Sequence, residues 1–101
     1  MALTSTTKQS YEKYFIHGDF STVMDTGETI ASNEIIAVDN TGEVVTGTII
    51  DPSSPFVDEM KQYVRIQGGE QAKSPYKITI RIITDQGNKW EVDALVKIKE
   101  L

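Results

Sequence analysis

The chain has 101 residues, of which 39% are hydrophobic, and a formal net charge of −5, which predicts one folded domain with a single core rather than a disordered chain. An acidic balance disfavours nucleic acid and anionic membranes as partners, because both are bound through clustered Lys and Arg. The absence of cysteine excludes a disulfide framework, a thiolate metal site and a cysteine nucleophile.

The first ten residues, MALTSTTKQS, are rich in Ser and Thr and carry no periodic apolar pattern. We expect residues 1–10 to form a flexible arm, with an arm that orders against a neighbouring subunit as the alternative. No apolar region typical of a secretory signal is visible there, and no run is long enough to span a bilayer. We therefore expect a cytoplasmic protein, unless it leaves the cell in a larger particle.

The single domain is expected to comprise residues 11–101 and to begin with a strand over residues 11–17, where aromatic side chains lie on both faces. Asp19 or Ser21 is then suited to cap one helical turn. We expect that turn to place Phe20 and Met24 in the core.

Residues 28–39 form a predicted strand with a bulge between Ala31 and Glu34, because its isoleucines cannot all share one face at a period of two. A turn at residues 39–42 leads to a predicted return strand over residues 43–50.

The segment 52–62 contains two prolines, which are incompatible with a central strand. We expect a loop with at most one or two helical turns, held to the core by Phe56 and Met60. A strand over residues 62–67 follows, and two glycines end it.

The clearest pattern is a hairpin over residues 76–98 that turns at residues 85–88. Trp90 is predicted to be a central filler of the core. Tyr76 is either a tyrosine corner, with its hydroxyl bonded to the chain just upstream, or merely the first inward residue of its strand. In all, six or seven short strands with hardly any helix indicate an all-β antiparallel sandwich or a small barrel.

Candidate chemistry is sparse. His17 has no serine on a strained elbow to pair with, and residues 39–43 lack the ligand ladder of a calcium loop. Glu91 and Asp93 share one face of the last strand and are typical of a solvated surface. Tyr11, Tyr14 and Tyr63 could face outward, but no aromatic stripe is evident. We therefore predict no catalytic, cofactor-binding or metal-ligating residues, and no cofactor.

Five fragments carry a family resemblance: D-F-S at 19–21 with Met24 following, G-E-T-I-A-S at 27–32, V-R-I-Q-G-G at 64–69, Y-K-I-T at 76–79 and I-I-T-D-Q-G at 82–87. In this order and spacing, residues 14–98 resemble a family of small proteins encoded in the structural gene clusters of tailed phages and prophages. The resemblance implies an immunoglobulin-like β-sandwich of about seven strands, located in the virion near the neck or where fibres join the tail. The segment 52–62 is longer and more helix-like than the family pattern.

The resemblance implies a non-enzymatic structural or adaptor module that acts by protein–protein contacts at the head, the neck or the tail-fibre junction. Its expected partners are other virion proteins or further copies of itself, bound through sheet edges, the N-terminal arm or the loop at 52–62. The alternative is a bacterial immunoglobulin- or fibronectin-like module that binds carbohydrate or a cell-surface partner. A small hydrolase is the third hypothesis, and it requires a serine or a carboxylate beside His17.

Overall fold

A computed structural model describes residues 4–101 as seven strands, one single-turn α-helix and one 3₁₀ turn. In chain order the elements are β1 (Thr4–Lys8), β2 (Tyr14–Asp19), β3 (Ile30–Val38), α1 (Thr46–Ile49), β4 (Phe56–Asp58), β5 (Lys61–Ile66), the 3₁₀ turn (Gln71–Lys73), β6 (Tyr76–Thr84) and β7 (Lys89–Ile98).

The strands form a four-stranded sheet in the order β1-β7-β6-β3 and a three-stranded sheet in the order β2-β5-β4. Every pair of neighbours is antiparallel except β1 and β7, which run parallel. The predicted all-β sandwich of about seven strands is thereby confirmed.

Period-two alternation builds the core between the sheets. Ile78, Ile80 and Ile82 point inward from β6, and Val64 and Ile66 point inward from β5, all at 2% exposure or less. Burying each such side chain contributes about 1.5–3 kcal/mol relative to leaving it in water. These contacts hold the two sheets face to face.

The predicted helical turn after β2 is also confirmed. The Met24 amide donates to the Phe20 carbonyl at 3.0 Å, and both side chains are buried. The Ser21 amide donates to the Asp19 carboxylate at 2.9 Å, which closes the start of the turn.

The hairpin of β6 and β7 forms as predicted, and Gly87 takes a positive φ of 82° in its turn. Trp90, however, is only half-buried and packs against the edge of the core. It pairs with Ile82 close to the turn, and the strands of the facing sheet are at most six residues long. The expectation of a central filler was therefore wrong, because the facing sheet is too short to enclose the turn end of the hairpin.

Tyr76 forms a tyrosine corner, which is the first of the two alternatives that the sequence left open. Its hydroxyl accepts a hydrogen bond from the Glu70 amide at 2.9 Å, and the residue is 3% exposed. Gly69 lies just upstream with a φ of 102°, and a Cβ there would approach Ile98 Cδ1 to 2.8 Å. A side chain at position 69 would therefore be strained by the backbone conformation and would require Ile98 to shift.

The bulge in β3 is confirmed near its predicted place, with the register shift between Ile30 and Ser32. The predicted return strand over residues 43–50 was wrong. Only an isolated bridge joins Val44 to Val38, and α1 follows. The chain must cross to the other sheet here, where Ile50 bridges to Ile66. A helical turn makes that crossing.

Residues 4–8 of the expected flexible arm form β1 instead, while residues 1–3 lie outside the described part. Lys8 is almost fully buried, and its ammonium donates to the Gly68 carbonyl at 2.6 Å. Burial lowers the pKa of Lys8. At the end of this segment the Ser10 amide donates to Glu100 at 2.7 Å. These bonds tie the segment to the loop that follows β5 and to the residues that follow β7, which the local sequence pattern could not reveal.

Candidate docking surfaces

The outward sides of the two sheets differ in chemistry. We call the outer side of β2-β5-β4 the aromatic face; it comprises Phe15, His17, Phe56, Tyr63 and Arg65. We call the outer side of β3-β6-β7 the ion-paired face; it comprises Glu34, Lys77, Arg81, Glu91 and Asp93.

Strand alternation produces the aromatic face. In β2, Tyr14 and Ile16 turn toward the core, so Phe15 and His17 turn outward. The antiparallel register then sets His17 opposite Tyr63 on β5. Two strands thus supply aromatic side chains to one level of the sheet.

Phe56 joins them through β4, a three-residue edge strand that pairs with β5 and sets Phe56 opposite Tyr63. Phe56 is 45% exposed, so the expectation that it pins the loop to the core was wrong. The core position beside it belongs to Gln62, which is fully buried and donates to the Phe56 carbonyl at 3.1 Å. Met60 does pack against the core, as predicted.

The aromatic side chains form a continuous row. The Phe56 and Tyr63 rings stack at 4.7 Å with 5° between their planes, and His17 lies 4.9 Å beyond Tyr63. On the other side, Phe15 meets Phe56 edge-on at 5.3 Å and 79°. Each ring of the row thus contacts the next, although only Phe56 and Tyr63 meet face to face. Phe15 nevertheless remains 41% exposed.

Arg65 lies at one end of this row, with its guanidinium carbon 4.8 Å from the centre of the Phe15 ring. Among residues 4–101 it forms no ion pair. Its Nε is buried and has no hydrogen-bond acceptor. Lys13, two residues before Phe15, is already paired with Asp51 at 3.2 Å.

On the ion-paired face, the charged side chains pair with one another. Arg81 binds Glu91 at 2.6 Å and Glu34 at 3.1 Å, and these bonds, that of Glu91 first, raise the pKa of Arg81. Lys77 lies 3.7 Å from Asp93. The carboxylates at positions 91 and 93 therefore serve a surface network, in line with the solvated face expected of them.

Apolar groups interrupt the ion-paired face at Ile83 and Leu95. Ile83 is 41% exposed and borders a shallow depression of about 560 Å³, whereas Leu95 is half-buried.

The residues considered for catalysis or metal binding have other roles. His17 stacks on Tyr63, and within residues 4–101 no hydrogen bond joins it to a serine or a carboxylate. One Asp39 oxygen accepts from the Thr41 hydroxyl at 2.6 Å and from the Thr41 and Glu43 amides. These bonds, led by that of the hydroxyl, lower the pKa of Asp39.

Asp39 thus closes a turn, and the described part of the chain contains no group of three His, Cys, Asp or Glu side chains able to hold a metal ion. None of the described helices is long and apolar enough to cross a membrane.

The aromatic row was not predicted from the sequence. The alternation of Phe15 with His17 and of Tyr63 with Arg65 was a usable signal, because it puts each pair on one side of its strand. The contribution of Phe56 had no such signal. Of the tyrosines expected to face outward, Tyr11 is exposed, whereas Tyr14 turns inward and its hydroxyl lies 3.0 Å from that of Thr6.

Comparison with known proteins identifies the family. Residues 8–97 match the model of the family described as podophage GP4 fiber-tail adaptor protein gp77. The chain belongs to this family. No curated protein matches the chain. The predicted resemblance to structural proteins of tailed phages is confirmed, and membership indicates a structural adaptor component of the phage particle.

Proposed function

We propose that this chain is a non-enzymatic adaptor of the virion that joins a fibre to the tail through protein–protein contacts. Membership of the fiber-tail adaptor family supports this assignment. The observation that carries it is the aromatic row, in which Phe15 and Phe56 are each more than 40% exposed. Aromatic and Arg side chains contribute most of the binding energy of protein interfaces. Because Phe15 and Phe56 are exposed, a partner protein can bury them and gain that energy.

An adaptor has to hold two partners at once, and the sandwich offers separate surfaces for them. The aromatic face and the ion-paired face lie on opposite sides of the core, since each is the outer side of its sheet. Two proteins can therefore bind without competing for the same side chains.

The ring geometry favours a protein over a carbohydrate at the aromatic face. A sugar stacks on the open face of an aromatic ring, whereas here Tyr63 lies between Phe56 and His17. Guanidinium and ring contacts likewise occupy Phe15. The exposed part of Phe15 and Phe56 is apolar surface, which suits side-chain packing by a protein.

The test is reconstitution with the tail and fibre proteins encoded by the same phage. Size-exclusion chromatography with light scattering should detect a complex of all three proteins, and tail and fibre proteins alone should remain separate. A chain that binds neither protein, or a direct tail–fibre complex that forms without it, would contradict the proposal. Soluble glycans mixed with the chain should leave its amide spectrum unchanged.

A further inference from the structure

We propose that Arg65 and the aromatic row bind an apolar segment of a partner virion protein in which a carboxylate adjoins the apolar side chains. This inference rests on the proposed adaptor function and adds the location and the chemistry of one of its contacts.

The guanidinium of Arg65 has no hydrogen-bond acceptor within residues 4–101. A buried polar nitrogen without an acceptor is costly, and a charged one more so. Arg65 Nε is in that state and lies out of a partner's reach, but the two Nη nitrogens are not buried, and they also have no acceptor in the described part of the chain. Both carboxylate contacts of Arg81, in contrast, are already made within its own sheet. A carboxylate from a partner would supply two acceptor oxygens in the planar geometry that guanidinium favours.

Arg65 is also held in place before any partner arrives. Its amide donates to the Ser54 hydroxyl at 2.9 Å, and its carbonyl accepts from the Asp51 amide at 3.0 Å. The side chain lies on the Phe15 ring. Because backbone and side chain are both restrained, binding a carboxylate there loses little conformational entropy.

The net charge of the chain indicates which class of anion Arg65 binds. The chain carries a net charge of −5, so its overall field repels a polyanion such as nucleic acid. Arg65 has no carboxylate opposite it on β2, whereas Lys61 on the same side of β5 lies opposite Asp19 and Asp58. A single cation beside half-exposed Phe15 and Phe56 therefore matches one carboxylate beside apolar side chains. Such an arrangement, in which aromatic anchors surround a desolvated charge pair, is typical of an interface hot spot.

The experiment compares Arg65→Gln with Arg81→Gln, its matched control on the opposite face, in titrations against the tail protein and the fibre protein. We expect Arg65→Gln to weaken binding to one of the two proteins by about 10-fold or more. Arg65→Lys should give an intermediate affinity, because it keeps the charge and loses the planar fork. Arg81→Gln should leave that affinity within about twofold. Circular dichroism and thermal melting verify that each variant is folded.

The outcomes separate the inference from the function. If the wild-type chain joins tail and fibre but Arg65→Gln binds as tightly as wild type, the inference is wrong and the adaptor function stands. If the chain binds neither protein, the adaptor function itself is wrong. If Arg65→Gln instead dissociates a homodimer in solution, the occupant is a second copy, which also overturns the inference. If Arg65→Gln weakens binding, a charge reversal provides a further test. Arg65→Glu should also lower the affinity, and replacing an Asp or Glu of the partner by Arg should restore it.

Discussion

Arg65 and Arg81 occupy equivalent settings on the two sheets and have opposite environments. Each lies on the outer side of a strand that has neighbours on both sides. Arg81 has Glu34 and Glu91 at its level on the neighbouring strands. Arg65 has Phe15 at its level on β2 and the Ser54 loop on the other side. One arginine is paired within the chain, and the other has no carboxylate partner within residues 4–101.

The difference shows that cross-strand neighbours decide what an outward arginine does. Exposed ion pairs contribute little to stability, since water screens them, but they keep a sheet surface hydrated. Arg65 lies over the Phe15 ring and has no carboxylate partner in the part of the chain that the structure describes. It therefore retains its capacity to bind a carboxylate. The aromatic face is therefore the side on which we expect substitutions to change binding more than folding.

The largest expected effect is on binding. Tyr63→Ala removes the ring on which Phe56 and His17 stack, and we expect the affinity for the partner of the aromatic face to fall about 100-fold. Isothermal titration calorimetry against the tail and fibre proteins measures it. Tyr63→Phe keeps the stack and should bind nearly as wild type. Equal losses in the two variants would indicate that the hydroxyl, and not the ring, makes the contact.

A smaller effect is expected in the core that both faces share. Tyr76→Phe removes the acceptor of the Glu70 amide, and we expect the free energy of unfolding to fall by about 1 kcal/mol. Urea denaturation measures it, and affinity for the partners should not change. An unchanged midpoint would mean that the corner bond does not stabilise the fold.

The next effect in size is a loss of stability at acid pH, which we expect to arise at Glu28, in the turn that precedes β3. Hydrogen bonds from the Thr84 hydroxyl, the Asp25 amide and the Asn88 amide group, in that order, hold the pKa of Glu28 below its ordinary value of 4.5. Because the folded pKa is the lower one, this stabilisation is present above pH 4.5 and is lost as the pH falls through the folded pKa.

Thermal melting from neutral to acid pH tests this expectation. The melting temperature of wild type should fall more steeply below pH 4.5 than that of Glu28→Gln, which cannot titrate there. Glu59→Gln alters an exposed carboxylate and is the control; its curve should follow that of wild type. Parallel curves for wild type and Glu28→Gln would remove Glu28 as a source of the acid sensitivity.

The smallest effect is expected at the ion-paired face itself. Arg81→Gln breaks the contacts with Glu34 and Glu91, which are exposed and screened by salt. The melting temperature should fall by a few degrees at most in low salt and match wild type in high salt. A large fall in melting temperature that persists in high salt would contradict the expectation that the ion-paired face is solvated.

The predictable parts of the fold are those with a long local pattern. The hairpin of β6 and β7 alternates over nearly its whole length, so its faces and its turn followed from the sequence. The turn after β2 followed from its cap and from the spacing of Phe20 and Met24. The failures were short or ambiguous segments. β4 has only three residues, β1 has no apolar alternation, and residues 43–50 change sheets.

For the candidate surface, the sequence alone determined which side chains leave β2 and β5 on their outer side, because alternation in a strand is a local property. Only the tertiary structure brought Phe56 beside Tyr63 and left Arg65 without a carboxylate. Strand pairing between distant segments decides which side chains share a level of a sheet, and that pairing depends on the packing of the whole chain rather than on any one stretch of it.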